Sequence, residues 1–513
     1  MTAMSDAIAR VASGHSETTA SAVAILGEGG NAVDALVAAA WTACIAEPVL
    51  CSPGGGGHAL IHGFGRRPVI ADCFTQTPRR RRVEGLDFFP IQGNFGADQQ
   101  EFHIGVGAAA VPGMVAGLFE LHQRYASLPM PVLAEPAVQL ARSGVVLNSV
   151  QAEALEILQP IVRASDGAAR LFGLASADAD LPEAGAVVRN IELADFIEFI
   201  ASAGSEQFYR GEVAMAIASH SLDQGGHLAP DDLAGYRVRW RKPMQWQLGR
   251  STRLRSNPPP AFGGLMTALM TQGLERGLPP GAAFGSPAHL DAMTRAMRLS
   301  EAQRIELERP ECLRSSRVLM QAFLQLGQTH ALTQRGTTHI SVRDRTGNLA
   351  GMTLSNGEGC GRAVAGCGFM LNNMLGEEDL NRLGFGNWPR NRRLASMIAP
   401  TLVERPDGRI LLGSGGSNRI RTALAQVLCN VMHFDMSLVE AVDAPRVHLE
   451  NDRLGIELDC GGWSRDTRPW LDLRFPDAVR WPGQSLYFGG VHAVSDTGQA
   501  ADRRRQGCAW SSG

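Results

Sequence analysis

The stretch QRGTTHISVRDRTGNLAGMTLS, at residues 334–355, divides the sequence into two parts with different hydrophobic patterns. Upstream of it, from about 113 to 335, apolar residues recur mostly at helical spacing, as in GMVAGLFELHQRY. Within and after it, alternating strands flank tight turns at 346–348 and 406–408, and IRTALAQVLCNVMHF then returns to a helical pattern. Paired strands between helical regions predict an α+β fold, for which a four-layer αββα sandwich is one option.

Near the start of the chain, residues 17–47 are rich in Ala, Leu and Val, and they predict a long helical region. The segment GEGGN within this region predicts a break into two helices. Gly29 or Gly30 would adopt a positive φ angle, and Asn31 would start the second helix. We expect Pro48 to end that second helix, because proline cannot donate the next backbone hydrogen bond.

Composition excludes several classes of protein. The chain has 513 residues, and 48 Lys and Arg against 51 Asp and Glu give a net charge of −3 with neutral His. This balance predicts neither a nucleic-acid partner nor an anionic membrane surface. A hydrophobic content of 44% excludes a mostly disordered chain. We find no apolar run long enough to span a membrane and no secretory signal pattern, so we expect a cytoplasmic protein.

The sequence does not indicate metal or disulfide chemistry. Its nine cysteines are scattered without a CxxC pair, which argues against a zinc knuckle or a disulfide framework. Although 13 histidines are present, none belongs to an HExxH motif. We therefore expect no metal and no cofactor, and a small molecule as the substrate.

The junction between Gly336 and Thr337 carries the strongest chemical signal. If this peptide bond were cut, Thr337 would become an N-terminal residue at the head of a strand, with its hydroxyl beside its own α-amine. An α-amine has a pKa near 7.7–8.0 in simple peptides, so part of it is neutral at pH 7 and can act as a general base. Gly336 has no Cβ, which leaves room for an N-to-O acyl shift. The junction predicts a threonine nucleophile produced by self-cleavage.

Two loops of small residues could complete such a site. GSGGSNRI at 413–420 places the consecutive N–H groups of Gly416 and Ser417 on a turn before a helix, an arrangement that suits an oxyanion. LSNGEGCG at 354–361 carries Ser355 soon after the first strands. For either loop, an ordinary turn is the alternative interpretation.

Several other residues have structural interpretations. We expect His339 to be a structural strand residue and Asp443 to form an ion pair with Arg446. The basic runs at 79–82 and 503–505 are expected to be solvated surface.

The chain resembles the gamma-glutamyltransferases, a family of self-processing N-terminal nucleophile hydrolases, along nearly its whole length. The matching blocks include ILGEGGNAVDALVAAA (25–40), EPVLCSPGGGGHALIHG (47–63), VGAAAVPGMVAGL (106–118), SNPPPAFGGLM (256–266), TTHISVRDRTGNLAGMTLSNGEG (337–359), LNNMLGEEDL (371–380), SMIAPTLV (396–403), GSGGSNRI (413–420) and AVDAPRVH (441–448).

This resemblance implies the four-layer αββα sandwich of that superfamily. It also implies a precursor that cuts itself after Gly336 into a large subunit, 1–336, and a small subunit, 337–513. The two subunits would stay associated as one integrated fold. A homo-oligomer of such processed heterodimers is left open.

The resemblance also assigns roles to the catalytic residues. Thr337 would attack an acyl carbon, and the acyl-enzyme would be released by water or by an acceptor amine. Gly416 and Ser417 match the family's oxyanion pair, although the family usually reads GSPGGxRI, with glycine where Ser417 stands. Ser355 falls where the family has a second threonine that supports the nucleophile's amine.

The substrate subsite departs from the family pattern. Phe74 stands where an arginine of a D-F-R-E block grips the substrate carboxylate, and phenylalanine cannot form that bidentate pair. Met374 replaces a substrate-contacting glutamine, and Glu377 is left as the acid that binds the amine. Ser396 matches one of two adjacent serines that hold the carboxylate, but its neighbour is Ala395. The loop residues Asn356 and Gly357 complete the expected subsite, and the arginines at 79–82 offer a replacement cation from another direction.

Three functions therefore compete. The favoured one is a Thr-nucleophile hydrolase acting on a non-standard substrate in a biosynthetic pathway. It would cleave an amide or acyl bond, or hydrolyse a C–C bond and release an oxalyl-type fragment, as homologues in 4-alkylproline antibiotic pathways do. The alternatives are an ordinary gamma-glutamyltransferase or glutathione hydrolase, and a catalytically silent homologue.

Overall fold

A computed structural model of the protein describes residues 8–94, 99–307, 336–377, 380–381 and 384–512. Gln334 and Arg335 at the junction lie outside the described residues. The helices are α1 (Ser16–Gly27), α2 (Ala32–Ala46), α3 (Met114–Tyr125), α4 (Met130–Ser143), α5 (Ser149–Ile157), α6 (Gln159–Val162), α7 (Asp166–Leu171), α8 (Ile191–Ala203), α9 (Glu206–Tyr209), α10 (Glu212–Asp223), α11 (Pro230–Ala234), α12 (Gly263–Gly277), α13 (Pro287–Leu307), α14 (Arg419–His433), α15 (Leu438–Asp443) and α16 (Thr467–Arg474).

The strands of the described chain form two large sheets and several small ones. They are β1 (Arg10–Ser13), β2 (Gly56–Gly63), β3 (Arg66–Cys73), β4 (Phe89–Asn94), β5 (Gln99–Ile104), β6 (Val145–Val146), β7 (Val187–Val188), β8 (Arg239–Arg241), β9 (Met244–Leu248), β10 (Thr252–Ser256), β11 (Thr338–Arg343), β12 (Leu349–Ser355), β13 (Ala363–Val364), β14 (Phe369–Met370), β15 (Thr401–Arg405), β16 (Gly408–Gly415), β17 (Val447–Glu450), β18 (Arg453–Glu457), β19 (Val479–Trp481), β20 (Gly490–Ser495), β21 (Gln499–Ala501) and β22 (Cys508–Ser511).

The two large sheets are antiparallel. Among the described residues, the first sheet has the order β22-β1-β11-β12-β2-β3-β8 and the second has the order β21-β20-β16-β15-β10-β9. In the first sheet, β1, β2, β3 and β8 come from residues before Thr337, and β11, β12 and β22 come from residues after it. The parts of the chain before and after the junction therefore share one hydrogen-bonded sheet.

The sheets and helices form four layers. Apolar side chains of both sheets meet between them, including Leu60, Leu349, Leu411 and Val494. On the outer side of the first sheet, α2 packs against β11 and β12, and α3 packs against β2 and β3. On the outer side of the second sheet, α14 packs against β16 and β20, and α12 packs against β9 and β10. This arrangement confirms the predicted α+β fold and its αββα layering.

The predicted break near the start of the chain is confirmed. Gly29 has a φ of 88°, and the Asn31 side chain caps α2 by accepting hydrogen bonds from the N–H groups of Val33 and Asp34. All fifteen residues of α2 are buried, which explains why its sequence is apolar on every face. The mostly helical interpretation of 113–335 is incomplete, because β9 and β10 also lie in this region and pair in the second sheet.

Candidate active site

Thr337 lies at the head of β11, a central strand of the first sheet, and is 3% exposed. Its hydroxyl donates a hydrogen bond to Ser355 Oγ at 3.3 Å. The Ser355 hydroxyl in turn donates to the Gly336 carbonyl oxygen at 2.7 Å and accepts from the Gly357 N–H at 3.2 Å. Ser355 thus links the hydroxyl of Thr337 to the carbonyl group of the peptide bond that precedes it.

Glu358, in the loop that follows β12, holds Gly336 from the other side. The Gly336 N–H donates to Glu358 Oε1 at 3.0 Å, and the Asn373 amide donates to Glu358 Oε2 at 3.3 Å. Gly357 has a φ of 62°, and a Cβ at this position would overlap both Asn373 Oδ1 and Glu377 Oε1. Only glycine fits here, so this close packing brings the predicted loop and Glu377 to the junction.

Asn356 is buried in the same loop. Neither polar atom of its side chain has a hydrogen-bond partner among the described residues. An unsatisfied buried amide costs folding free energy, on the order of 1–3 kcal/mol. Such a group marks a place where a ligand or water supplies the missing bonds.

The turn after β16 carries the second predicted loop. Gly416 has a φ of 112° and Ser417 a φ of 52°, and α14 begins two residues later. Neither N–H group donates a hydrogen bond to any residue that the structure describes. A Cβ on Gly415 would overlap the Thr337 carbonyl oxygen, so the turn packs directly on the junction. Two unengaged N–H groups beside a hydroxyl form an arrangement that can stabilise an oxyanion.

Phe74 and Met374, two of the predicted substrate contacts, lie in one apolar cluster. Each is 1% exposed, and they pack with Leu375, Trp388 and Leu394. The position that the family fills with a carboxylate-binding arginine therefore carries an apolar side chain that packs in an apolar cluster.

Ser396 and Glu377 are the polar groups predicted for the same subsite. Both are buried, and Ser396 Oγ has no hydrogen-bond partner in the described part of the chain. Of the five polar positions that the resemblance implies for a γ-glutamyl group, this chain therefore keeps two.

Arg393 is a buried cation beside Phe74 that the sequence did not reveal. Its guanidinium pairs with Asp72 at 3.2 Å, lies over the Tyr236 ring at 4.6 Å from the centroid, and donates to the Phe74 carbonyl. Asp72 also pairs with Arg241 at 2.7 Å. These contacts fix Arg393 in a structural network.

Two of the arginines at 79–82 have partners elsewhere in the large subunit and near Phe74. Arg80 pairs with Asp231 at 3.3 Å, and Arg81 lies 4.9 Å from the centroid of the Trp388 ring. Trp388 belongs to the apolar cluster of Phe74 and Met374, so Arg81 contacts the edge of that cluster. That this run replaces the missing cation stays a prediction.

Two other interpretations from the sequence were wrong. Arg446 pairs with Asp502 at 2.7 Å, whereas Asp443 pairs with Arg503 at 3.3 Å. The 503–505 run is not all solvated surface, because Arg504 is buried and pairs with Asp502 at 3.2 Å. Asp443 was chosen as the partner of Arg446 because it is close in sequence. In the structure, the last residues of the chain return to the core, and Asp502 among them pairs with Arg446.

His339 is a structural residue, as expected. Its ring nitrogens contact the hydroxyls of Thr353 and Ser341 at 2.7 and 2.9 Å. Burial holds the pKa of His339 well below its ordinary value, so the ring is neutral at pH 7.

A pocket opens to solvent at the junction. Gly336, Glu358 and Gly416 line one end, and we call this space the junction pocket. Its walls include Leu50, Ile157, Leu158, Leu486 and Tyr487, and its charged lining residues are Glu47, Arg419 and Arg505. Phe74, Met374 and Ser396 do not line it.

Glu47 connects the junction to the end of α2. Its Oε1 accepts a hydrogen bond from Thr338 Oγ1 at 2.8 Å, and the residue is 4% exposed. Burial raises the pKa of Glu47 from about 4.5 to about 7, because the ionised form loses its hydration.

The Glu47→Gln variant is expected to lose part of the pH dependence of stability. The pKa of Glu47 is higher in the folded state than in the unfolded state. The contribution of its protonated carboxyl to stability is therefore fully present below about pH 4.5 and is lost as the pH rises through about 7. This upward shift of the Glu47 pKa lowers the free energy of unfolding of the wild type by roughly 3 kcal/mol at pH 8. Melting curves at pH 4.5 and 8 should show the variant more stable than wild type only at pH 8. Exposed Glu28→Gln is the control, and equal melting temperatures for Glu47→Gln and wild type at pH 8 would contradict the assignment.

Within the described residues, no group of three or more His, Cys, Asp or Glu side chains is placed to hold a metal ion. No helix of the described chain is long and apolar enough to cross a membrane.

A threonine that heads a central strand of an αββα sandwich, beside unengaged backbone N–H groups, is typical of the N-terminal nucleophile hydrolases. The chain belongs to the gamma-glutamyltranspeptidase family, whose model matches residues 18–511. It is thus an enzyme of the hydrolase and acyltransferase class, and the resemblance seen in the sequence is confirmed.

Glutathione hydrolases and acylases are among the relatives in this family. The glutathione hydrolase proenzyme of Escherichia coli strain K12 is 28% identical over 507 residues, covering 90% of this chain and 84% of its own. The acylase ACY 1 proenzyme of Pseudomonas sp. strain SE83 is 26% identical over 470 residues, covering 87% and 83%. The cephalosporin acylase structure from Bacillus halodurans superposes with a TM-score of 0.78 at 22% identity over 98% of this chain and 95% of its own, which shows the fold.

Proposed function

We propose that this protein is a self-processing hydrolase that uses Thr337 as its nucleophile on a substrate other than a γ-glutamyl compound. The observation that carries the substrate part of this proposal is the apolar cluster of Phe74 and Met374, where the family pattern places an arginine and a glutamine.

Self-cleavage begins with attack of Thr337 Oγ on the carbonyl carbon of Gly336. The Ser355 hydroxyl, 2.7 Å from the Gly336 carbonyl oxygen, stabilises the charge that develops on that oxygen. The C–N bond then breaks, the Thr337 nitrogen takes a proton, and an ester joins Gly336 to Thr337 Oγ. Water hydrolyses this ester, which leaves a carboxylate on Gly336 and a free α-amine on Thr337.

The same groups serve turnover. The freed amine of Thr337 accepts the proton of its own hydroxyl as Oγ attacks the substrate carbonyl. The N–H groups of Gly416 and Ser417 hold the oxyanion, and water releases the acyl group. Since strands before and after the junction share one sheet, the fragments 1–336 and 337–513 stay associated after the cut.

A γ-glutamyl group would bring a carboxylate and an ammonium that both need charged or polar partners. Glu377 and Ser396 remain, but Arg393 is already paired with Asp72, and the Phe74 position is apolar. Burial of the substrate carboxylate without its arginine would cost binding free energy on the order of several kcal/mol. We therefore favour another acyl group, and relatives named acylases support this choice.

The bond that breaks is part of the proposal. Attack on a carbonyl and stabilisation of an oxyanion serve an amide and also a C–C bond whose leaving fragment is a stabilised carbanion. Cleavage of an amide or acyl bond, and C–C hydrolysis with release of an oxalyl-type fragment in an antibiotic pathway, are both included. An ordinary glutathione hydrolase is the second candidate, favoured by the buried Glu377 and by the Escherichia coli relative.

A direct substrate comparison tests the choice. Glutathione and γ-glutamyl p-nitroanilide are assayed with the processed protein beside a series of simple acyl p-nitroanilides. The Escherichia coli glutathione hydrolase is the positive control. We expect kcat/KM for both γ-glutamyl compounds to be at least 100-fold below that of the best simple acyl anilide, about 3 kcal/mol in transition-state binding. A preference for γ-glutamyl compounds would contradict the proposal and support the second candidate.

A further inference from the structure

The junction pocket adjoins the bond between Gly336 and Thr337, and its lining differs from the γ-glutamyl subsite that the resemblance implies. Its lining includes Gly336, which forms the bond, and Gly416, from the turn beside it. Phe74, Met374 and Ser396 are not part of the lining. A substrate whose carbonyl lies at Thr337 would therefore have room for its remaining atoms in this pocket.

Most of the wall of this pocket is apolar. Leu50 follows α2, Ile157 ends α5 and Leu158 follows it, and Leu486 comes from the segment before β20. Transfer of apolar surface from water to such a wall stabilises a complex by about 25 cal/mol per Å². The wall therefore favours hydrocarbon or aromatic parts of a ligand.

Arg505 is a cation in this apolar lining. Its guanidinium makes no hydrogen bond or ion pair with any residue that the structure describes, and its Nε is buried without a partner. Its stem is fixed, because a Cβ on Gly490 would overlap Arg505 Cγ. Its Cζ would lie 3.7 Å from a Cβ on Gly415, so the charge sits beside the contact between Gly415 and Thr337.

Three carboxylates attract the Arg505 guanidinium electrostatically at longer range, but none of them forms an ion pair with it. Glu47 binds the Thr338 hydroxyl, and Asp502 is held by Arg446 and Arg504. Glu153 is the third, and it is exposed on α5. Arg505 stays protonated at neutral pH. An unpaired guanidinium in an apolar pocket is suited to a carboxylate, which can accept two parallel N–H bonds from it.

We propose that the junction pocket binds a substrate through an apolar portion against the wall of Leu50, Ile157 and Leu158 and through a carboxylate against Arg505. This inference rests on the proposed function, because it places the reacting carbonyl at Thr337. The carboxylate would lie close to that carbonyl, since Arg505 sits beside the contact of Gly415 with Thr337. The substrate class is an apolar acid with no requirement for an ammonium group.

Matched acyl p-nitroanilides test this assignment with the processed protein. Succinyl, glutaryl and adipoyl anilides carry a terminal carboxylate, whereas butanoyl, pentanoyl and hexanoyl anilides are their neutral counterparts. The 6-aminohexanoyl anilide carries an ammonium instead. We expect at least one carboxylate-bearing anilide to exceed its neutral counterpart at least tenfold in kcat/KM. The chain length of the best one reports the distance from Thr337 to Arg505.

Arg505→Gln should remove this preference, so that the carboxylate-bearing anilides no longer exceed their neutral counterparts in kcat/KM. Arg505→Lys should restore part of it, because lysine keeps the charge without the bidentate geometry. Arg503→Gln is the matched control, because Arg503 is 76% exposed and pairs with Asp443. Self-cleavage at Thr337 in every variant shows that each one folds.

Calorimetric titration with succinate, glutarate and adipate separates this inference from the proposed function. If no anilide is turned over, the amide-cleaving form of the proposed function fails. Tighter binding of a dicarboxylate than of hexanoate, lost in Arg505→Gln, would still support the pocket assignment. Faster turnover of the 6-aminohexanoyl anilide overturns the assignment. So does equal binding of every acid to wild type and Arg505→Gln.

Discussion

Thr337→Ala is expected to remain one uncut chain of 54.9 kDa with no hydrolase activity. The variant lacks the oxygen that attacks the Gly336 carbonyl, so neither the ester nor the free α-amine can form. Because the hydroxyl and the amine act together in turnover, the expected loss is the whole of the measurable rate. Denaturing electrophoresis, intact-mass spectrometry and the acyl anilide assay measure both effects on one sample.

Two companion variants separate chemistry from folding. Thr337→Ser keeps a hydroxyl, so it should still cut itself and leave a serine hydroxyl beside a new α-amine. Thr338→Ala removes the neighbouring buried hydroxyl, which contacts Glu47, and it should still cut before Thr337. Cleavage of Thr337→Ala at the same bond would show that another group is the nucleophile.

Gly416→Ala is expected to lower kcat by about 10²–10³-fold, the usual effect of losing one oxyanion donor. Gly416 has a φ of 112°, which L-residues rarely adopt, and a Cβ here would lie 2.7 Å from the Cα of Gly489. The turn must shift to relieve this contact, and its N–H groups then move away from the oxyanion. KM should change less than kcat, because the oxyanion forms only during reaction.

The control for this variant is Gly483→Ala, where a Cβ meets no atom within 4 Å. It should retain wild-type kcat. Formation of the Thr337 N-terminus in Gly416→Ala shows that the variant folds, since self-cleavage uses Ser355 at the Gly336 carbonyl. Wild-type turnover by a self-cleaved Gly416→Ala would exclude this turn as the oxyanion site.

Local sequence signals predicted the parts of the fold that local forces determine. The capping side chain of Asn31 and the positive φ of Gly29 follow from short-range geometry. The order of the strands does not, because β22 joins β1 and β1 joins β11 across hundreds of residues. The wrong pairing of Asp443 with Arg446 has the same cause, since Asp502 reaches Arg446 only through the path of the second sheet.

The candidate site shows the same division. Thr337, Ser355 and Gly416 stand in recognisable motifs, and the structure brings them together. The sequence indicated no role at the junction for Glu47 or Arg505, because they reach it from the end of α2 and from the last turn before β22. The sequence shows directly that residue 74 is a phenylalanine. Only the structure shows that Arg393 lies nearby and is already paired with Asp72.

Intact-mass spectrometry of the freshly purified wild-type protein, with N-terminal sequencing, tests the central claim most directly. We expect two fragments, residues 1–336 and 337–513, with Thr337 as the new N-terminus of the second. A single uncut chain, or a new N-terminus at any other residue, would contradict it.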